Sequence, residues 1–204
     1  MFYDLTHSIN NHTSVYPGDP KVSVEPAGEL ERDGFFDHKL TFGTHVGTHI
    51  DAPAHMLKDG KQLKDYPPER FILDAVCLDA QDGFKAADIT THAKPGMAVL
   101  FYTGASEYFH EERYWHEFMV LDEKSIKALR DKKVSLVGLD TGSADKAEDF
   151  PIHKALLGAD ILIIENMTNL GELVGKTFKL YALPLKLEKD GAPIRAVANT
   201  GLLL

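Results

Sequence analysis

Cysteine is nearly absent from this chain: Cys77 is the single one in 204 residues. One thiol excludes an internal disulfide and a cysteine-based zinc knuckle. Its setting, the apolar run 72–80, points to a buried, inert side chain rather than a nucleophile. Basic excess is absent as well. The formal charge is −9, with no basic stripe and no aromatic-plus-arginine patch, which argues against nucleic acid and anionic membrane as partners. No apolar run approaches the ~18 residues of a bilayer span. The densest apolar stretch, 161–164, is strand-sized. The opening MFYDLTHSINNH has no basic region followed by an apolar core, so no signal peptide is expected and the expected location is cytoplasmic. Repeats, low-complexity tracts and linker-like composition shifts are missing too.

What remains is an ordinary globular composition, 44% apolar and 26% charged. One domain over residues 1–204 is the expectation. A chain this long can bury roughly 70% of its unfolded surface and needs no metal to fold, so any metal is more readily functional than structural. β-like runs bounded by Gly, Pro or Asp recur at 2–5, 21–25, 71–78, 97–102, 134–139, 161–164, 178–185 and 194–198. Helical signals are fewer. Asp122 can cap a helix ending near Lys133, with Ile126 and Leu129 on one face. Residues 151–157 carry Pro in the first turn and Gly158 just past the end. Residues 107–118 look helical but polar. The mixture predicts an α/β fold with a strand-rich mixed sheet.

Chemistry concentrates in Thr44 to His55, THVGTHIDAPAH, where His45, His49, Asp51 and His55 fall within eleven residues. In an extended strand the Cα atoms of His45 and His49 would lie about 13 Å apart, too far to share an ion comfortably. A long helix is opposed by Gly47, Thr48, Ile50 and Pro53. A compact bend at Gly47 satisfies both constraints. Two imidazoles and a carboxylate suit Zn, Mn or Fe and leave positions open for water or substrate. The bland alternative is a histidine-rich loop making hydrogen bonds, a reading that suits any one of these histidines better than the group. His55 is a further ligand or a proton carrier, and spacing does not choose. Farther along, His153 opens the short helix and Glu165 follows the apolar strand after it. A helix, a turn and a returning strand can bring the two together, and a charge at a buried strand end needs a partner. An exposed strand end is the plain alternative for Glu165.

The stretch THVGTHIDAPAHM resembles the metal motif of the cyclase family, the group of metal-dependent hydrolases containing bacterial kynurenine formamidase and isatin hydrolase. His45, Gly47, Thr48, His49, Asp51, Pro53 and His55 match it in order. YPGDP at 16–20, GLDTGSAD at 138–145, and the spacing of His153 and Glu165 extend the resemblance over most of the chain. The resemblance implies a swivelling β/β/α fold, usually as a homo-oligomer. It implies one metal held by His45, His49 and Asp51, and a second held by Asp51, His153 and Glu165. Zinc is the implied ion, two per chain, with manganese as the alternative. His55 would be the catalytic acid/base and Tyr16 would line the substrate pocket. Tyr16 stands where formamidases often carry Trp, and Met56 where Phe is common. Both departures bear on the substrate rather than on the metal.

The expected activity is hydrolysis of a small amide, foremost an aryl formamide such as N-formylkynurenine, or else a cyclic amide or lactone such as isatin. A non-catalytic metal-binding module is the alternative from another class. Serine hydrolase chemistry is weaker, since Ser143 lies near Asp145 without a nucleophile-elbow pattern. Asp140 is a candidate to orient a ligand histidine. His7 and His12 read as surface groups, and His110 and His116 as members of a solvated helix face, with a lid or subunit contact as the alternative.

Overall fold

The computed structural model describes residues 1–201. Its strands begin with β1 (Phe2–Asp4), β2 (Ser23–Gly28), β3 (Asp37–Thr41), β4 (His49–Asp51) and β5 (Ile72–Asp79). They continue with β6 (Ala98–Tyr102), β7 (Leu136–Leu139), β8 (Leu162–Glu165), β9 (Thr177–Tyr181), β10 (Gly191–Pro193) and β11 (Val197–Asn199). The helices are α1 (Leu30–Asp33), α2 (Ala86–His92), α3 (Glu123–Asp131) and α4 (Pro151–Leu157).

Nine strands form one mixed sheet in the order β1-β11-β9-β5-β6-β7-β8-β4-β10, and β2 and β3 form a separate hairpin. The four central strands β5 to β8 run parallel, joined through α2, α3 and α4, and every other pairing in the sheet is antiparallel. This is the strand-rich α/β mixed sheet that the sequence implies. Both faces of the centre are covered, so the buried stretches of its strands, such as Ala75–Leu78 and Leu162–Ile164, are apolar rather than alternating with polar residues. Val76, Val99, Phe101, Val137 and Ile163 pack on one face with Ile89, Leu129 and Leu156 of the helices. The alternate residues Ala75, Cys77, Ala98, Leu100, Leu162 and Ile164 pack on the other with Leu5, Phe71 and Leu173. Each fully buried Leu or Ile there contributes about 1.5–3 kcal/mol of transfer free energy. Cys77 is among them, its thiol pushed up to about 12 by burial, so it is inert as expected.

Asp122 caps α3 by accepting the Ser125 N–H at 2.7 Å, and α4 has the predicted bounds. Three expectations differ. Residues 107–118 form two short 3-10 turns, Ala105–Tyr108 and Glu112–Trp115, instead of a helix. The buried Phe109 and Tyr114 are five residues apart, which a continuous helix would set about 140° apart around its axis. The run 178–185 stops at Tyr181, because Pro184 cannot donate to a ladder and leaves Leu183 and Leu185 exposed. Of the run 194–198 only Val197 and Ala198 are strand, as the start of β11, while Ile194 makes an isolated bridge with Pro184.

Candidate metal centre

The candidate centre forms where the short strand β4 lies between β8 and β10. The chain bends sharply through Thr44 to Thr48, and Gly47 sits at φ +56°, a left-handed conformation that glycine adopts without steric cost. The bend brings the His45 and His49 rings to a centroid separation of 5.1 Å, which an extended strand forbids. Residues His49 and Asp51 then share one face of β4 by strand periodicity, while Ile50 enters the core. Pairing with β8 sets His49 opposite Glu165, and pairing with β10 sets Asp51 opposite Gly191. His45 Nδ1 lies 2.7 Å and His49 Nε2 3.4 Å from Asp51 Oδ1.

The second group comes from α4 and β8. His153 Nε2 is 3.0 Å from Glu165 Oε1 and 3.7 Å from Asp51 Oδ2. Phe150 takes the N-cap position in the left-handed region without a capping side chain. Asp145 takes over that role, accepting the Ile152 and His153 backbone N–H groups at 2.9 and 2.8 Å. The same carboxylate accepts from His153 Nδ1 at 2.8 Å, which aims Nε2 at Asp51 and Glu165. His45, His49 and Asp51 form one set of potential ligand atoms, Asp51, His153 and Glu165 a second, and the less buried His45, His55 and Asp190 a third. All six sequence candidates for ligation and proton transfer thus converge: His45, His49, Asp51, His55, His153 and Glu165 line or adjoin one cavity.

The donor chemistry fits cations. Asp51 is fully buried, and its Oδ2 has no hydrogen-bond partner. Such an orphaned carboxylate oxygen is costly unless a positive charge faces it. Burial opposes ionisation of Asp51, but His49 and His45 outweigh it and hold the carboxyl well below its usual range. Burial likewise opposes a charged His45, yet Asp51 and Asp190 raise it to about 9. His153, also against burial, is raised to about 12 by Glu165, Asp145 and Asp51. Each candidate ligand histidine has an acceptor for its other ring nitrogen, the arrangement that fixes a metal-binding tautomer. His49 Nδ1 donates to Gly47 O at 2.8 Å, His153 Nδ1 to Asp145, and His45 Nε2 to Asp190 Oδ2 at 2.8 Å.

The cavity above the group measures about 380 Å³. Tyr16, Trp115, Phe150 and Met56 give it an apolar wall, and His55 borders it. Tyr16 meets Trp115 edge to face at 5.8 Å, while Trp115 Nε1 donates to Ser14 Oγ at 2.9 Å. Burial lowers the His55 pKa, helped by His45 and His153 and opposed by Asp51.

Several lesser expectations are corrected. Asp140 orients no ligand histidine; it accepts from Thr103 and Gly104 N–H groups and the Thr103 hydroxyl. Burial pushes its carboxyl up to about 6 against those bonds. Ser143 Oγ accepts the Asp145 N–H. His7 is half-buried and stacked on Phe109 at 3.8 Å rather than solvated. His110 and His116 are exposed, as expected, but their segment buries Tyr114 and turns Trp115 into the cavity. Sequence reasoning missed Asp190 and the orienting role of Asp145. Phe150 and Asn166, which line the cavity, were not singled out either. Their signal is positional only, since none carries a spacing that marks it as part of a site.

The Cyclase family model matches residues 3–146. Among curated proteins, the kynurenine formamidase of Salinibacter ruber is 32% identical over 204 residues, covering 95% of each chain. A solved structure titled a potential metal-dependent hydrolase with cyclase activity shares 28% identity and a TM-score of 0.81, covering 97% of this chain and 96% of its own. An isatin hydrolase A from Labrenzia aggregata shares the fold at a TM-score of 0.86 and 22% identity, covering 97% and 93%. The family-model match over most of the chain and the full-length similarity to a formamidase make this chain a member of the cyclase family and an enzyme of the amidohydrolase class.

Proposed function

We propose that the protein hydrolyses an aryl formamide, N-formylkynurenine being the nearest named substrate, with two divalent cations, zinc or manganese, held by His45, His49, Asp51, His153 and Glu165. The observation that carries this reading is Asp51. It is buried, belongs to both ligand sets, and keeps an oxygen free of hydrogen bonds between them. Full-length similarity to a formamidase and the aromatic wall of Tyr16, Trp115 and Phe150 support an aryl substrate.

When bound, such cations acidify water and polarise the scissile carbonyl. The chain's own residues do the rest. His55 Nδ1 lies 3.3 Å from Asp190 Oδ2, which leaves Nε2 as the nitrogen for proton transfer. With its pKa lowered, His55 is a neutral base near pH 7 and can take the proton of the attacking water. It then returns that proton to the aryl amine nitrogen as the C–N bond breaks, releasing formate and the amine. The aromatic wall orients the ring and limits water around the amide.

Small molecules are the proposed substrates, and a homo-oligomer is the proposed assembly. The β2–β3 hairpin supports the latter, since it exposes Phe35, Phe36 and Leu40. No helix among the described residues is long and apolar enough to cross a membrane. The activity is tested by offering metal-loaded protein N-formylkynurenine, isatin and a simple lactone in parallel. Preferential cleavage of the formamide supports the proposal. Preference for isatin or the lactone moves the substrate to the cyclic class. Metal uptake without any hydrolysis favours the non-catalytic module.

A further inference from the structure

We propose that Asp190 is a positioning residue that ties the metal-site histidine His45 to the proton carrier His55 through one shared carboxylate oxygen. Its Oδ2 lies 2.8 Å from His45 Nε2 and 3.3 Å from His55 Nδ1. An ionised carboxylate only accepts hydrogen bonds, so both rings present N–H to it. That fixes the tautomers. His45 is left with Nδ1, the nitrogen 2.7 Å from Asp51, for the cation, and His55 is left with Nε2 for the substrate. The rings themselves lie 3.9 Å apart, tilted by 31°, so neither can turn without disturbing the other.

The backbone around Asp190 is built to hold this arrangement. Ala52 N donates to Asp190 O at 2.7 Å, and the next residue, Gly191, pairs with Asp51 in the β10–β4 ladder. A side chain at Gly191 would come within 2.6 Å of His45 Cε1, so the chain runs directly against the ring that Asp190 orients. His49 and His153 rely on other acceptors, Gly47 O and Asp145, so Asp190 acts on His45 and His55 alone. Carboxylates placed behind a metal-bound imidazole raise its basicity and fix its orientation, and losing one typically costs about 10- to 100-fold in metal affinity or activity.

This inference rests on the metal-dependent reading proposed above, and the test separates the two. Chelator-stripped wild-type, Asp190→Ala and Asp190→Asn proteins are titrated with zinc, then assayed for kcat and KM at saturating zinc. The isosteric Asn variant guards against misfolding. The expected result is that Asp190→Ala weakens one of two zinc-binding steps by about 10- to 100-fold and leaves the other within about twofold. Its kcat falls about tenfold or more with KM nearly unchanged, and Asn, which keeps an acceptor oxygen, falls between. Imidazole N–H resonances of His45 and His55 in metal-free protein should be lost in Asp190→Ala while that of His153 persists. A merely structural role would lower thermal stability without moving the ratio of the two zinc affinities. Wild-type protein that binds two zinc ions, beside an Asp190→Ala variant with both affinities and kcat intact, would overturn the inference alone. Wild-type protein that binds no zinc would overturn the metal reading and this inference with it.

Discussion

His49 and Glu165 face each other across the antiparallel β4–β8 ladder, their Nε2 and Oε2 atoms 3.6 Å apart. That register joins two candidate ligand sets that the sequence separates widely, and it makes Asp51, two residues along β4, the group common to both.

Asp51→Asn is therefore predicted to lose both cations, whereas Glu165→Gln should lose only the one shared with His153. Metal content after gel filtration, measured by elemental analysis, distinguishes the cases. Equal retention in Asp51→Asn and wild type would contradict a bridging Asp51.

His55 sits beside both sets and belongs to neither of those built on Asp51. His55→Gln is predicted to keep its metal and to lose about 100- to 10,000-fold in kcat, the usual contribution of a general acid/base. Undiminished turnover would remove His55 from the reaction.

Trp115 forms the cavity wall with Tyr16 and Phe150. Aromatic pairs contribute about 0.5–1.5 kcal/mol, so Trp115→Ala should raise KM for an aryl formamide roughly two- to tenfold. An alkyl formamide should show little change. Equal effects on both substrates would argue that Trp115 supports the loop rather than the aryl group.

His7 supplies a pH prediction away from the metal group. Burial, aided by His110, lowers its pKa from 6.5 to about 4, and its Nε2 has no partner. Above pH 6.5 His7 is neutral in both folded and unfolded chains, and its contribution is complete. As pH falls toward about 4 the unfolded chain takes up a proton that the folded one refuses, so stability declines. His7→Phe keeps the stacking on Phe109 and should flatten the urea midpoint across that window. Parallel midpoint curves for the two proteins would refute the assignment.

The candidate site was legible in sequence where chemistry is dense and local. His45, His49, Asp51 and His55 lie within one short segment, and Gly47 marks the bend that lets them meet. The central strands β5 to β8 were legible because a sheet covered on both faces needs near-continuous apolar runs. Strand β4 was not, since its three residues are two polar site groups around Ile50. Asp190 was hidden for a related reason. It reaches His45 only through the pairing of β10 with β4, a contact set by tertiary register and not by any local pattern. Asp140 misled because it ends a buried strand as a ligand-orienting carboxylate would, but it holds the Thr103–Gly104 turn instead.

The most direct test of metal-dependent formamide hydrolysis is to follow formate release from N-formylkynurenine while zinc is titrated into chelator-stripped protein. The account predicts no activity at the start, a rise as ions bind, and saturation near two zinc ions per chain. Full activity in verified metal-free protein, or complete zinc uptake with no formate released, would contradict it.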